Sequence, residues 1–412
     1  MKKYIIKIII ICAATVNFST GQTLADYSKI AAENNPGLQA AYKEYKAALQ
    51  KVPQVSALPD PTLSFGYFLS EAETRVGPQK ARFSLTQMFP WFGTLKTQGD
   101  AAALQAEAKF QVFIDQRNKL NYQVAAAYYP LYEISRFQEI EQENIKLLES
   151  YKTVAVQNFQ NGAGRMVDVL QVDMMLKEAQ TGLRILSEKE KSLRADFNQL
   201  LNRPADHPVQ ITDTLSVDLS IPDASITDSL LAQNPVIWAW ELKYRSAIAG
   251  EKAAFRQGLP KIGFGLDYVV VDKRTDMDVT DNGKDILMPM LSVSIPLFRG
   301  KYKAAQEESR LMQQSYLLGK DDAVNKLIKN YEVVRFGIRR NHELIDLYDQ
   351  QTETARQTLN LLFTSYANSG SAFEEVLRME QQLLNYRKMK VAALSGYHIA
   401  LEKLKYLTAG QR

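Results

Sequence analysis

Two short stretches place acids and arginines at matching points of the chain. In FQNGAGRMVDVL (159–170), Arg165 precedes Asp168 by three residues. In YANSGSAFEEVL (366–377), Glu374 and Glu375 occupy the matching end, and Arg378 follows directly. Groups of this kind do electrostatic work. They can pair with one another, or line a narrow passage and attract one sign of ion. Acids in the first turn of a helix are also favoured by the helix dipole alone, so solvated helix-surface charges are the plainer reading, and both stay open. Little else offers chemistry. His207, His342 and His398 are isolated, and there is no metal-ligand spacing, nucleophile–base constellation or glycine-rich phosphate loop. Met174, Met175, Met288 and Met290 could take a soft metal, but methionine in helices and strands ordinarily packs. No catalytic residue, cofactor or metal is therefore expected, and an enzyme is not.

The chain has 412 residues, 46% hydrophobic and 23% charged, which suits a folded protein. Its first residues are expected to be removed. Lys2, Lys3 and Lys7 precede an apolar run from Ile8 to Ala14, and Ser19 and Gly21 stand before a cut at Gln22. That is the form of a secretory signal peptide over 1–21, too short in its apolar part to span a bilayer. The sole cysteine, Cys12, lies inside it, and Ile11 before it argues against lipidation. Loss of the three lysines takes the net charge from +4 to +1, leaving no electrostatic case for nucleic acid. No apolar run near the ~20 residues of a membrane helix follows. A β-barrel span, with about 10 alternating residues per strand, remains open.

The elements that carry the charged stretches are written twice. At an offset of 199, Asn35-Pro36 falls on Asn234-Pro235, Tyr45 on Tyr244, Pro61 on Pro260, Phe65 on Phe264 and Gly66 on Gly265. At 206 to 207, QMFPWFGTLK (87–96) falls near VSIPLFRGKYK (293–303), and Leu120, Val124, Ala127 and Leu131 fall on Leu327, Tyr331, Val334 and Ile338. Convergent helical composition would not keep prolines and glycines in step, so the chain is a duplication. Each repeat reads as a helix, a hairpin, a very long helix and a return helix. The first repeat covers 22–201, with a helix over 24–57 and strands at 61–69 and 81–89. The second covers 226–412, with a helix over 226–257 and strands at 261–271 and 287–297. An inter-repeat equatorial segment, 202–225, joins them.

The long helices, near 94–157 and 301–364, would each measure ~95 Å at 1.5 Å per residue. Leu120, Val124, Ala127, Leu131 and Ile134 form a seam for a neighbouring helix, and Pro130 is expected to kink the first one. Glycine- and asparagine-rich tips follow at 158–165 and 366–371. Two end-to-end stacks are expected for the shorter helices: 166–201 leading into 226–257, and 372–407 into 24–57.

The strands explain the whole. Leu63, Phe65, Tyr67 and Leu69 alternate with Thr62, Ser64 and Gly66, and Phe264, Leu266 and Tyr268 alternate with Gly263, Gly265 and Asp267. A sheet apolar on one face and polar on the other fits a barrel with lipid outside and water inside. Four strands cannot close one, so several copies must share it.

This order of elements resembles the TolC family of outer-membrane efflux proteins. The carrying motifs are NPGLQAAYKEYKAA (35–48), LPDPTLSFGY (58–67), SLTQMFPWFG (84–93), FQNGAGRMVDVLQ (159–171), LRADFNQLLNRP (193–204) and SVSIPLFRGKY (292–302). The resemblance implies a mostly α fold with a membrane β-barrel portion, a homotrimer sharing one barrel, and an α-helical coiled-coil periplasmic tunnel. It also implies a periplasmic adaptor and an inner-membrane pump as partners, outer-membrane lipid around the barrel, and passive export of small molecules or metal ions. Gate candidates at the closed periplasmic end are then Asp168, Glu374, Glu375, Arg165 and Arg378; Glu in place of Asp departs from the family in the second copy. Adaptor-contact candidates at the tips are Asn161, Gly162, Gly164, Asn368 and Gly370. The alternative is a structural or adhesive coiled-coil surface protein, which explains the heptads but not the mirrored hairpins.

Overall fold

The computed structural model describes residues 22–211, 215–217, 233–369 and 373–409. The expected signal peptide with Cys12, the tip residue Gly370 and most of the later part of the inter-repeat segment lie outside them. The elements run α1 (Leu24–Asn34), α2 (Pro36–Ser56), β1 (Thr62–Thr74), β2 (Gly77–Phe89), α3 (Thr94–Gln160) and α4 (Met166–Leu200). The second repeat supplies α5 (Pro235–Gln257), β3 (Lys261–Val271), β4 (Ile286–Ser294), α6 (Gly300–Ser369) and α7 (Phe373–Leu407).

The structure differs from the expected elements in ways with local causes. The helix expected over 24–57 is two helices. Asn35 is extended (φ −66°, ψ 120°), its side chain accepts from the Leu38 N–H at 3.1 Å, and Pro36 follows at a position where a missing N–H costs nothing. Asn234 does the same for α5, accepting from the Val236 N–H at 3.0 Å. The strands of the first hairpin extend to Thr74 and resume at Gly77, so the long turn expected over 70–80 is mostly strand. β4 runs through Pro289 and stops at Ser294, three residues short of the expected end. α3 includes Pro130 within its single run from Thr94 to Gln160, with Val124 and Leu131 buried on either side.

The chain forms two compact units that cut across the repeats, because each long helix contributes to both. The first unit holds α1, α4, α3 from Gln123, α6 between Ile338 and its end, and α7 as far as Ile399. Its helices meet through apolar seams and ion pairs. Lys388 of α7 pairs with Glu141 of α3, Arg387 with Glu143 at 2.6 Å, and Lys390 with Asp349 of α6. Tyr27 of α1 is fully buried edge-on against Phe197 of α4, with ring centroids 5.0 Å apart. The segment after α4 folds back here: the Asn198 amide donates to the Ala205 and His207 carbonyls, and Arg203 lies over the Tyr27 ring.

The second unit holds α2, the sheet, α5, the first parts of α3 and α6, and the end of α7. Here α2 and α3 are tied by Glu44–Lys109, and α5 and α6 by Glu241–Lys320 and Glu251–Arg310. The Asn234 amide donates to the Leu407 carbonyl at 3.1 Å, so the end of α7 meets the start of α5. This corrects the expected stacking. Each repeat's return helix reaches the first helix of its own repeat, α4 beside α1 and α7 at α5. The Leu407 carbonyl at the end of α7 is met by the capping residue that opens α5.

Candidate functional site

The sheet is four antiparallel strands in the order β1-β2-β3-β4. The pairings Ser64↔Ser84, Ser84↔Asp267 and Asp267↔Met288 run across all four strands, as do Phe65↔Phe83, Phe83↔Tyr268 and Tyr268↔Leu287. Because side chains alternate, this register gathers most of the large apolar side chains on one face and most of the small polar ones on the other. One face carries Leu63, Phe65, Tyr67, Phe83, Leu85, Phe264, Leu266, Leu287, Leu291 and Val293, all exposed. Exposed apolar surface of this extent requires an apolar covering. The other face carries Thr62, Ser64, Ser84, Thr86, Ser292 and Ser294, with Gly66, Gly263 and Gly265 between them and Met88, Val269, Met288 and Met290 among them.

An ion pair at the centre of the polar face was not singled out by sequence reading. Asp267 has no exposed surface and pairs with Arg82, whose guanidinium also lies 3.8 Å from the Met290 sulfur. The two residues are diagonal neighbours across the β2–β3 ladder, where the hairpins of the two repeats meet. The signal available beforehand was a lone acid in a strand whose other residues on that face are small.

At the far end of α3 the tip turn is built by the chain itself. The Asn158 carbonyl accepts from the N–H groups of Ala163 and Gly164 at 2.9 and 3.0 Å. Gly162 takes φ +72° with open space around it, and Asn161 donates its N–H to the Gln157 carbonyl. Asp168, buried at the third position of α4, accepts from the Arg165 backbone N–H at 3.3 Å and its guanidinium at 2.7 Å. The Asp168 hydrogen bond raises the Arg165 pKa, and Glu374 adds to it. Thus Arg165 and Asp168 are brought together, and Glu374 acts on Arg165 through its charge alone. Glu375 and Arg378 are exposed helix residues, and neither forms an ion pair among the described residues. Asn368 lies in the last turn of α6.

Behind the tip, Tyr151, Val172, Leu176, Tyr366, Phe373 and Val376 form a core shared by α3, α4, α6 and α7. Two polar devices here escaped sequence reading. Asp173 takes Lys152 from α3 at 2.5 Å and Lys177 from its own helix at 2.6 Å, and these hydrogen bonds hold its carboxyl at about 2. Glu380 is buried with Oε2 unpartnered, and desolvation raises its pKa. On α4, Val167, Leu170 and Met174 leave an exposed apolar stripe.

The sequence matches no known family model and no curated protein. Solved structures do match. The outer membrane protein VceC from Vibrio cholerae superposes with a TM-score of 0.76 at 17% identity, over 94% of this chain and 96% of that one. CusC, described as undergoing transmembrane channel formation, gives 0.79 at 16% identity, over 95% and 93%. The chain has the TolC-type fold. The outer membrane channel CmeC of Campylobacter jejuni repeats the match at 0.75 and 13% identity, over 94% and 85%. This TolC-type chain thus shares the fold of proteins named as outer-membrane channels along nearly its whole length, which agrees with the duplicated helix–hairpin–helix order read above. Among its described residues no helix is long and apolar enough to cross a membrane.

Proposed function

We propose that the chain is an outer-membrane channel subunit, the passive exit duct of a tripartite efflux pump. The observation that carries this is the sheet: one face largely apolar and exposed, the other largely polar, and strands β1 and β4 both at its edges. Open edges inside hydrocarbon are untenable, because unpaired backbone groups there cost several kcal/mol each, roughly. Edge pairing between copies, three of them by analogy with the fold, closes the barrel. The polar face then lines a water path and the apolar face meets lipid. The helices α3, α4, α6 and α7 continue into the periplasm as a tunnel whose tips meet an adaptor and an inner-membrane pump. Asp168 and Arg165 with Glu374, and the apolar stripe on α4, lie where the periplasmic end would close. No step of this activity requires covalent chemistry.

The test joins the edges. Thr62→Cys on β1 and Ser294→Cys on β4 are introduced together into full-length protein and oxidised in membranes. Ladders of covalent dimers and trimers, and ion conductance after reconstitution into a planar bilayer, are expected. A protein that stays monomeric and gives no conductance sinks the proposal and favours a non-transporting surface coiled coil.

A further inference from the structure

A cavity of about 280 Å³ lies inside the second unit, where α3, α5, α6 and α7 meet. Much of its wall is apolar: Val236 and Trp240 from α5, Ala323 and Leu327 from α6, and Leu407 from α7. Asp115 of α3 lines it too, beside Tyr406 of α7. At roughly 30 Å³ per water molecule the space would hold about nine waters, or one solute of a few carbons.

Asp115 sets the chemistry of this space. Its Oδ1 accepts from the Tyr406 hydroxyl at 3.1 Å, and Tyr406 is itself held by stacking on Tyr122, with ring centroids 6.1 Å apart. The other oxygen has no hydrogen-bond partner among the described residues and stays accessible. No cation touches the carboxylate. Lys119, one turn further along α3, is exposed and acts on it only through space. Desolvation outweighs both that charge and the hydroxyl, and it raises the Asp115 pKa. The two other charges lining the cavity cancel, since Lys326 donates to Asp322 at 2.6 Å. Lys243 lies 4.3 Å from the Trp240 ring centre but does not line the cavity. The lining therefore carries one uncompensated negative charge beside an apolar wall and an indole ring.

A metal ion does not fit this arrangement. A single free carboxylate offers too few hard ligands, and no group of three acids, histidines or cysteines suited to a metal exists among the described residues. A cation that brings its own apolar body does fit, because carboxylate, aromatic ring and aliphatic wall each meet a different part of it. We propose that this cavity binds a small organic ammonium ion, with its charge against Asp115 and its apolar part against Val236, Trp240 and Leu327.

The experiment uses full-length protein in an uncharged detergent at low salt. The probe is para-fluorobenzylammonium, titrated by fluorine NMR, with empty micelles as the blank. One saturable site per chain is expected. Asp115→Asn keeps an acceptor for Tyr406 and should weaken binding roughly tenfold or more, because a hydrogen bond to a charged group is lost. The neutral para-fluorobenzyl alcohol should bind wild type as weakly as the ammonium binds that variant. Methylammonium, which leaves the apolar wall uncovered, should compete at least several-fold less well. Ala323→Leu fills the space without altering charge; it should also abolish binding, and it serves if Asp115→Asn misfolds, which far-ultraviolet circular dichroism checks. Absence of a saturable site overturns the proposal, as does equal binding by wild type and both variants. An alcohol that binds as tightly as the ammonium, or methylammonium that competes equally well, overturns it too. Binding is read without ion flow, so failure here is separate from failure of the channel reading.

Discussion

Replacing Arg82 by methionine should loosen the sheet at its centre. Asp267 is completely buried, one of its oxygens has no partner, and Arg82 is its only ion-pair partner among the described residues. Removing the arginine leaves a buried carboxylate uncompensated. Breaking a buried pair from one side typically costs about 3–5 kcal/mol. The Arg82 side chain is 43% exposed. Solvent therefore already weakens its share, and the lower end, ~3 kcal/mol, is the expected loss. That is roughly a hundredfold change in the folding equilibrium of the sheet. Guanidinium unfolding in detergent, followed by tryptic cleavage within 62–89 and 261–294, reads this locally. The second variant isolates the cause. Arg82→Met/Asp267→Leu removes the charge as well as its partner, and replacement of a buried pair by apolar groups of similar volume is commonly neutral. The double variant should therefore recover most of the loss. If the single variant is as stable as wild type, or the double is no better than the single, the pair does not hold the sheet as argued.

Three further outcomes follow from the helices. The Glu380 pKa is raised by desolvation, with only the Arg387 charge opposing, so the folded state holds its proton more tightly than the unfolded chain. Stability should then fall as pH rises above the ordinary carboxylate range, and Glu380→Gln should unfold later than wild type at pH 8, by about 1 kcal/mol or more, but not at pH 4. Phe373→Ala removes a ring that is 2% exposed and packs 4.7 Å from Tyr366, so hydrogen exchange in 145–180 and 359–384 should accelerate by an amount matching about 3–5 kcal/mol. Asn234→Ala loses the acceptor for the Val236 N–H and the donor to the Leu407 carbonyl, which should cost about 1–2 kcal/mol in thermal unfolding, while Asn234→Ser keeps the cap and should lose less.

The features legible in the sequence were those fixed by local chemistry repeated twice. Proline before each first strand, period-two alternation in 62–69 and 261–268, and the seam at Leu120, Val124, Leu131 and Ile134 need only neighbouring residues to be understood, and all but the exact ends are as read. The Asn35 break needed more. Asn-Pro marks a helix start in both copies, yet apolar residues continue upstream of it, and a continuous pattern hides a cap in its middle. The tip charges show the opposite limit. Arg165 and Asp168 meet because they are three residues apart on one turn, whereas whether Glu375 and Arg378 find partners depends on packing that no spacing encodes.

Register is where the ion pair gains its meaning. Within β1–β2 and β3–β4, turns set which residues face each other, but β2 and β3 belong to different repeats and no turn joins them. A slip of one residue there would turn every apolar side chain of one hairpin onto the polar face. At the offset that aligns the two return strands, the position of Arg82 in β2 corresponds to Met288 in β4, and Asp267 lies directly opposite Met288. The duplicated strands on either side of Asp267 have therefore diverged so that only one carries a cation. An acid with a single cationic neighbour can be satisfied in one register and on one side alone. That makes the Arg82–Asp267 contact a specification of how the two repeats join. It also predicts an asymmetry: the polar residues of β1, Thr62, Ser64 and Gly66, carry no charge, so pairing at that edge must take its register from the apolar face and from the helices that follow.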